Sequence, residues 1–148
     1  VYGRGVLMIK AARWLLRRRL LGVWRRPTWN HLLALPDFLR GVAAAIESER
    51  ARGVYNLADD EPRTLQDFLD AIAGHWGFPK PWRVPEWSVF GVAAGCEIFA
   101  SVFGTVSPFT RDFIRIGMAS AVADTSRTKR ELLPTLEYPT LREGLALL

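Results

Sequence analysis

One cysteine, Cys96, and two histidines in 148 residues exclude an internal disulfide framework and leave no zinc-ligand spacing. No internal repeat or low-complexity tract occurs, which excludes a solenoid and a disordered tail. An uninterrupted apolar run is also missing. The most apolar stretch, 87–109, is broken by Glu97 and carries Gly91, Gly95 and Gly104. A spanning helix needs about 20 predominantly apolar residues, and a carboxylate near its centre costs about 2.5–3.5 kcal/mol. A buried or lid-like helix is expected there. No secretory leader is visible, because arginines flank Trp14-Leu15-Leu16 on both sides where a signal would need an apolar core and a small-residue cleavage site.

The chain is 49% hydrophobic and 24% charged, the balance of a globular domain. At this length roughly two-thirds of the unfolded surface can be buried. Lys and Arg number 20 against 15 Asp and Glu, for a net charge of +5. Arg13, Arg17, Arg18, Arg19, Arg25 and Arg26 crowd the first 26 residues. Such a cluster can meet phosphate on nucleic acid, on a membrane or on a nucleotide substrate, or can be the solvated end of an amphipathic helix. Nucleic acid is disfavoured by the absence of zinc-finger, basic-zipper and aromatic RNA-binding signatures. The expected partner is a small molecule, with weak peripheral membrane contact through 87–109 kept open and a cytoplasmic location assumed.

Local signals predict α/β organisation with helix in excess. Val6, Ile9, Ala12, Arg13, Leu16 and Leu20 have helical spacing over 6–21, with Gly22 as the stop. Val23-Trp24 reads as a short strand, and Thr28 to Leu35 as an extended segment. Asp37 is expected to cap a helix to about Glu49 whose inner face is Phe38, Val42, Ala45 and Ile46. Gly53 to Ala58 reads as a strand entering the Asp59-Asp60-Glu61-Pro62 turn. Thr64 should cap a helix to Trp76, with Asp67 at the capping-box position. Pro79, Pro81 and Pro85 frame a short edge strand at Trp82-Arg83-Val84. Helices at about 86–103 and 109–118, a short strand at 121–123, a capped turn at Ser126 and a helix from Thr140 complete the pass.

Several of these pieces, in this order, resemble the C-terminal part of the extended short-chain dehydrogenases, and more narrowly the NAD-dependent epimerase/dehydratase family. They are Val1-Tyr2-Gly3-Arg4-Gly5, Gly53-Val54-Tyr55-Asn56-Leu57-Ala58, Thr64-Leu65, Asp124-Thr125-Ser126-Arg127 with Lys129-Arg130-Glu131-Leu132, and Tyr138-Pro139-Thr140-Leu141-Arg142-Glu143-Gly144-Leu145. Leu33-Ala34-Leu35-Pro36-Asp37 is similar to a further family run, with Ala34 where a His usually stands. The resemblance implies that residues 1–148 are one substrate-binding lobe of a longer enzyme, with residues 1–5 the end of a Rossmann part that the chain lacks. It also implies NAD or NADP bound mainly by that missing part, and a homodimer of the full-length protein.

The family's catalytic Tyr and Lys, four residues apart, have no counterpart here. Tyr2, Tyr55 and Tyr138 are followed at that distance by Val6, Asp59 and Arg142, and no glycine fingerprint for a pyrophosphate occurs. No catalytic residue and no metal ligand is therefore assigned, and the chain by itself is expected to be catalytically silent. By resemblance, Tyr2 and Gly3 lie beside the cofactor. Arg25, Arg26, Asn30, His31, Arg111 and Arg115 are the candidates for substrate, since a guanidinium fork matches two phosphate oxygens. The implied activity is hydride transfer on a sugar nucleotide or related alcohol or ketone. The apolar 87–109 stretch keeps a steroid-like or flavonoid-like substrate as the alternative, and a non-catalytic binding or assembly protein is the competing class.

Overall fold

The first predicted helix ends earlier than its hydrophobic pattern, and the reason is local. In the computed structural model, which describes residues 1–107 and 109–148, α1 spans Leu7–Arg17. Arg19 takes a left-handed backbone, φ 55°, so that its amide donates to the Leu16 carbonyl and the Leu20 amide donates to that of Leu15, both at 2.9 Å. This is a Schellman closure with an arginine where glycine is preferred. Gly22, read as the stop, instead opens β1. The left-handed conformation costs a residue with a Cβ about 1–2 kcal/mol. Arg19→Gly should therefore raise stability by up to about 1 kcal/mol after its own entropy loss, seen as a higher urea midpoint. A lower midpoint would mean that the guanidinium holds the turn.

The remaining elements are β1 Gly22–Trp24, β2 Trp29–Asn30, α2 Leu35–Glu47, β3 Arg63–Thr64, α3 Leu65–His75, β4 Trp82–Val84, α4 Glu86–Val102, α5 Arg111–Met118, α6 Ser126–Glu131 and α7 Leu141–Gly144, followed by a 3-10 turn at Leu145–Leu147. The chain is thus a helix-rich α/β structure with a few short strands. β1 pairs with β4 in parallel, Val23 opposite Arg83, and β2 pairs with β3 antiparallel, Trp29 opposite Thr64. Trp82-Arg83-Val84 is the strand that the prolines predicted. Thr64 caps α3 as expected: its hydroxyl accepts from the Asp67 amide at 3.0 Å and donates to Oδ2 of the same residue at 2.6 Å.

α3 is the central helix. Phe68, Leu69, Ile72 and Ala73 pack with Ile9 and Leu16 of α1, Val23 and Trp24 of β1, and Tyr2, Ala34 and Leu141. Each buried aliphatic or aromatic side chain contributes about 1.5–3 kcal/mol.

Four expectations need correction. Asp37 is not the cap of α2: the helix starts two residues earlier, at Leu35 after Ala34. Its inner face is not Phe38, Val42, Ala45 and Ile46 but the Asp37 and Gly41 stripe, and Ile46 is 79% exposed. The helix turns that way because Gly41 lies against Leu57, where a Cβ would come within 2.7 Å of the leucine methyls, and because the Asp37 carboxylate meets the amides of Glu137 and Tyr138. Residues 53–58 do not join a ladder. Their backbone is held by α6: Arg127 donates to the carbonyls of Arg52 and Val54, and the Thr128 hydroxyl donates to that of Asn56. Residues 121–123 make a single parallel bridge, Ala121 to Asn30, in place of a strand.

α4 lies where the apolar stretch predicted a helix, though Pro108 within that stretch is outside the described residues. Ala93 and Ala100 face inward, while Trp87, Val92, Ile98, Phe99 and Val102 are exposed. Among the described residues, no helix is long and apolar enough to cross a membrane.

Candidate functional site

Residues 24–31 form the turn and strand that carry four of the predicted site residues, and a buried amide sets their path. Gln66 on α3 donates from Nε2 to the carbonyls of Trp24 and Arg26, both at 2.9 Å, and accepts at Oε1 from the Thr28 amide. The Trp24 indole donates to the Thr28 hydroxyl at 2.7 Å. Every polar arm of Gln66 is thereby used, as burial demands. Arg25 and Arg26 are held at the exposed apex of this turn, and Arg25 Nε reaches only the Arg83 carbonyl, at 3.5 Å. The sequence offered no sign of Gln66 or Thr28 as positioning residues, because each acts on a partner about 40 positions away.

The segment after α5 runs beside Asn30 and His31. Trp29 donates its amide to the Ser120 hydroxyl, Ala121 donates to the Trp29 carbonyl, and His31 donates to the Ala121 carbonyl. The imidazole Nδ1 of His31 accepts from the Ala123 amide at 3.0 Å. That bond directs the ring to the neighbouring backbone and makes Nδ1 the unprotonated nitrogen. Asn30 turns its amide to the Thr28 carbonyl at 3.4 Å. Arg25, Arg26, Asn30 and His31 therefore share one turn and strand, with the exit of α5 alongside.

Arg111 and Arg115 do not join them as free cations. Glu97 of α4 accepts from both the backbone amide and Nε of Arg111, each at 2.7 Å. The amide bond first, then the guanidinium, hold the Glu97 carboxyl below the usual range. Arg111 thus ties α4 to α5, and Thr110 caps α5 by accepting from the Phe113 amide. Arg115 pairs with Asp112 one turn away on an exposed surface, a contact worth little.

Tyr2 and Gly3 are built into the core of the chain. The Tyr2 amide donates to the Leu33 carbonyl at 2.9 Å and its carbonyl accepts from Leu35 at 2.8 Å, so the segment 1–3 lies parallel to 33–35. Gly3 has φ 147° and its missing Cβ would meet that of Leu35 at 3.0 Å, which requires glycine on both counts. The Tyr2 ring is 1% exposed, tilted against Phe68 at 5.9 Å, and its hydroxyl abuts Gly144, where a Cβ would collide with it. The ring is core and not a surface for a cofactor.

That hydroxyl has no partner, nor has Oδ2 of the buried Asp59. Burial, with the nearby charges of Asp59, Asp37 and Glu143, pushes the Tyr2 phenol up to about 12. Removing an unpartnered buried hydroxyl recovers its desolvation penalty. Tyr2→Phe should leave stability unchanged or raise it by about 1 kcal/mol, measured by urea unfolding. A loss above about 1 kcal/mol would mean that the hydroxyl is bonded through a buried water.

The strongest polar constellation in the chain surrounds Asp37, which is 0% exposed. Its carboxylate accepts from the amides of Glu137 and Tyr138 and from Arg40 Nη1, all at 2.8 Å. It clamps the approach to α7 onto the first turn of α2. Nothing in the sequence pairs residues 37 and 137. Among the described residues, no group of three His, Cys, Asp or Glu is placed to hold a metal.

No family model matches the chain, and no curated protein does. Among solved structures, it is similar to the one described as the crystal structure of gox2253, with a TM-score of 0.51 and 20% sequence identity over 82% of this chain. The chain spans 37% of that protein's length. The likeness is one of fold.

Proposed function

We propose that the chain is the substrate-binding lobe of an NAD(P)-dependent enzyme of the extended short-chain dehydrogenase type, acting on a sugar nucleotide or a related alcohol or ketone. The observation that carries this reading is convergence. The Val-Tyr-Gly segment, the Leu33 to Asp37 run and the Tyr138 to Gly144 ending, separated by up to about 140 residues, meet around the Tyr2 ring and the Asp37 carboxylate. These are the pieces that resemble the family, and they form one packed unit.

The residues present do not build a dinucleotide site. Tyr2 is turned inward, Gly3 is pressed on Leu35, and no glycine-rich phosphate loop exists. On this reading the dinucleotide sits mainly on a part of the enzyme outside this chain, and would supply the hydride. This lobe then orients substrate with the exposed turn of Arg25 and Arg26 and the adjoining Asn30 and His31, where guanidinium forks suit a diphosphate.

A second reading, a steroid-like or flavonoid-like substrate, is favoured by the exposed apolar side of α4. Calorimetry separates the readings. The chain as given and the product of its full reading frame are titrated with NAD, NADP, a uridine diphosphate sugar and a steroid ketone. Dinucleotide binding by the full product only, followed by the sugar nucleotide, supports the first reading, with Arg25→Ala/Arg26→Ala weakening the sugar nucleotide at least tenfold. Binding of the steroid instead supports the second. If the full product binds no dinucleotide, the enzyme reading falls and a non-catalytic binding protein is left.

A further inference from the structure

The inference concerns α1 and is independent of the enzyme reading. Ile9 and Leu16 are its buried side. Lys10, Arg13 and Arg17 recur at i, i+3 and i+7, with Trp14 and Arg18 one step round the helix, so all five share one face. All five are exposed. Among the described residues, no carboxylate lies within ion-pair distance of Lys10, Arg13, Arg17, Arg18 or Arg19. The guanidinium of Arg18 instead stacks on Trp14 at 4.1 Å and that of Arg13 on Trp76 at 5.3 Å. Between them lies an open groove of about 710 Å³ lined by Lys10, Arg13, Trp14, Arg17, Arg18 and Phe78. A second groove, lined by Arg19, Lys80 and Trp82 among others, lies past the end of α1.

Five unpaired cations on and just past a helix roughly 16 Å long fit an extended anionic surface better than a single small anion. The apolar residues among them decide which surface. Leu7 is 78% exposed, Leu20 63% and Trp14 51%. Against a nucleic-acid backbone these would stay in water, whereas at a bilayer they enter the acyl boundary while the cations stay at the headgroups. Tryptophan favours that interface for the same reason. We infer that α1 docks the protein, parallel to the surface, on membranes rich in anionic lipid. The sequence pattern had pointed to 87–109 together with the arginines for such a contact. The exposed side of α4 is apolar but carries no charge, so the electrostatic part belongs to α1.

The test is co-sedimentation of the chain with phosphatidylcholine vesicles, with or without 30% phosphatidylserine, at 50 and 500 mM salt. Binding is expected to the anionic vesicles only, and to weaken strongly at high salt. Each cation near such a surface is worth about fivefold in affinity, so Arg17→Gln/Arg18→Gln should bind about 25-fold more weakly and Arg17→Lys/Arg18→Lys should not. Both substitutions are on the solvent side, and a circular-dichroism melt checks the fold. Trp14→Ala should weaken binding to vesicles while leaving any binding to duplex DNA unchanged. No sedimentation at low salt, equal binding by the Gln pair, or loss caused by Phe99→Ser/Phe103→Ser at the end of α4 and not by the α1 variants would each overturn the assignment. Tighter binding to DNA than to vesicles would give the surface to nucleic acid instead.

Discussion

Asp37→Ala should destabilise the chain by about 3–5 kcal/mol, the cost of deleting three charge-assisted hydrogen bonds, two of them to backbone amides that lose their acceptor. The Glu137 and Tyr138 amides would lose their acceptor, and the link between α6 and α7 would be released from α2. Asp37→Asn should be nearly as harmful, since an amide group can offer only one oxygen to two N–H donors. Arg40→Gln should cost about 1 kcal/mol or less. Arg40 is partly exposed, and without it the two amides still hold the Asp37 side chain. Urea unfolding of the three variants decides the matter through the midpoint at constant slope. Losses below 1 kcal/mol for Asp37→Ala would show that water satisfies those amides equally well.

Stability should fall as pH rises from about 4 to about 7, because of Asp59. Its carboxyl is 1% exposed; Oδ1 accepts from the Leu32 amide at 3.3 Å, and Oδ2 has no partner. Burial first, then the charges of Asp60 and Glu61, push it up from 3.8 to about 7. An acid whose folded value is raised keeps its proton longer in the folded state than in the unfolded one. Its full contribution is present below about pH 4 and is lost as pH climbs to about 7. At 1.36 kcal/mol per unit, a rise of about three units corresponds to roughly 4 kcal/mol. Asp59→Asn keeps an acceptor for Leu32 and carries no charge, so it should be the more stable protein at pH 8 and about equal at pH 4.5. The difference between the two unfolding free energies at pH 4.5, 6 and 8 isolates this carboxyl from every other titration. A difference that stays flat across that range would show that the Asp59 carboxyl ionises freely.

These two carboxylates also show where sequence reading reached and where it stopped. Thr64 with Asp67 and Asp124 ahead of Ser126 were legible because a cap and its amide lie two or three residues apart. Asp124 Oδ1 accepts from Ser126 as that spacing implies. Asp37 had the same local signature, an acid after an extended run, yet its partners are 100 and 101 residues away. The apolar residues of α2 were read as its inner side, whereas Asp37 and Gly41 turn inward and leave Phe38, Val42 and Ile46 on the surface. Of the candidate site, Arg25, Arg26, Asn30 and His31 were named from neighbouring positions and stay neighbours. Arg111 and Arg115 were named as substrate candidates with an ion pair to Asp112 as the other reading; Arg115 makes that pair, and Arg111 holds Glu97 of α4.

By itself the sequence determined the helix-rich α/β composition, the presence of each helix, the edge strand at 82–84 and the lack of a phosphate loop or Tyr-Lys pair. All of these depend on periodicity, turn residues or spacings within a few positions, where backbone sterics and local hydrogen bonds set the outcome. Only the tertiary structure decided that residues 53–58 stay extended without a strand partner, that Tyr2 is core, that Asp59 is buried with an empty lone pair, and that Arg111 of α5 meets Glu97 while the arginines of α1 stand unpaired. Each of those depends on which distant group fills the space beside a side chain, and burial and partner identity are properties of the packed chain rather than of any window of it.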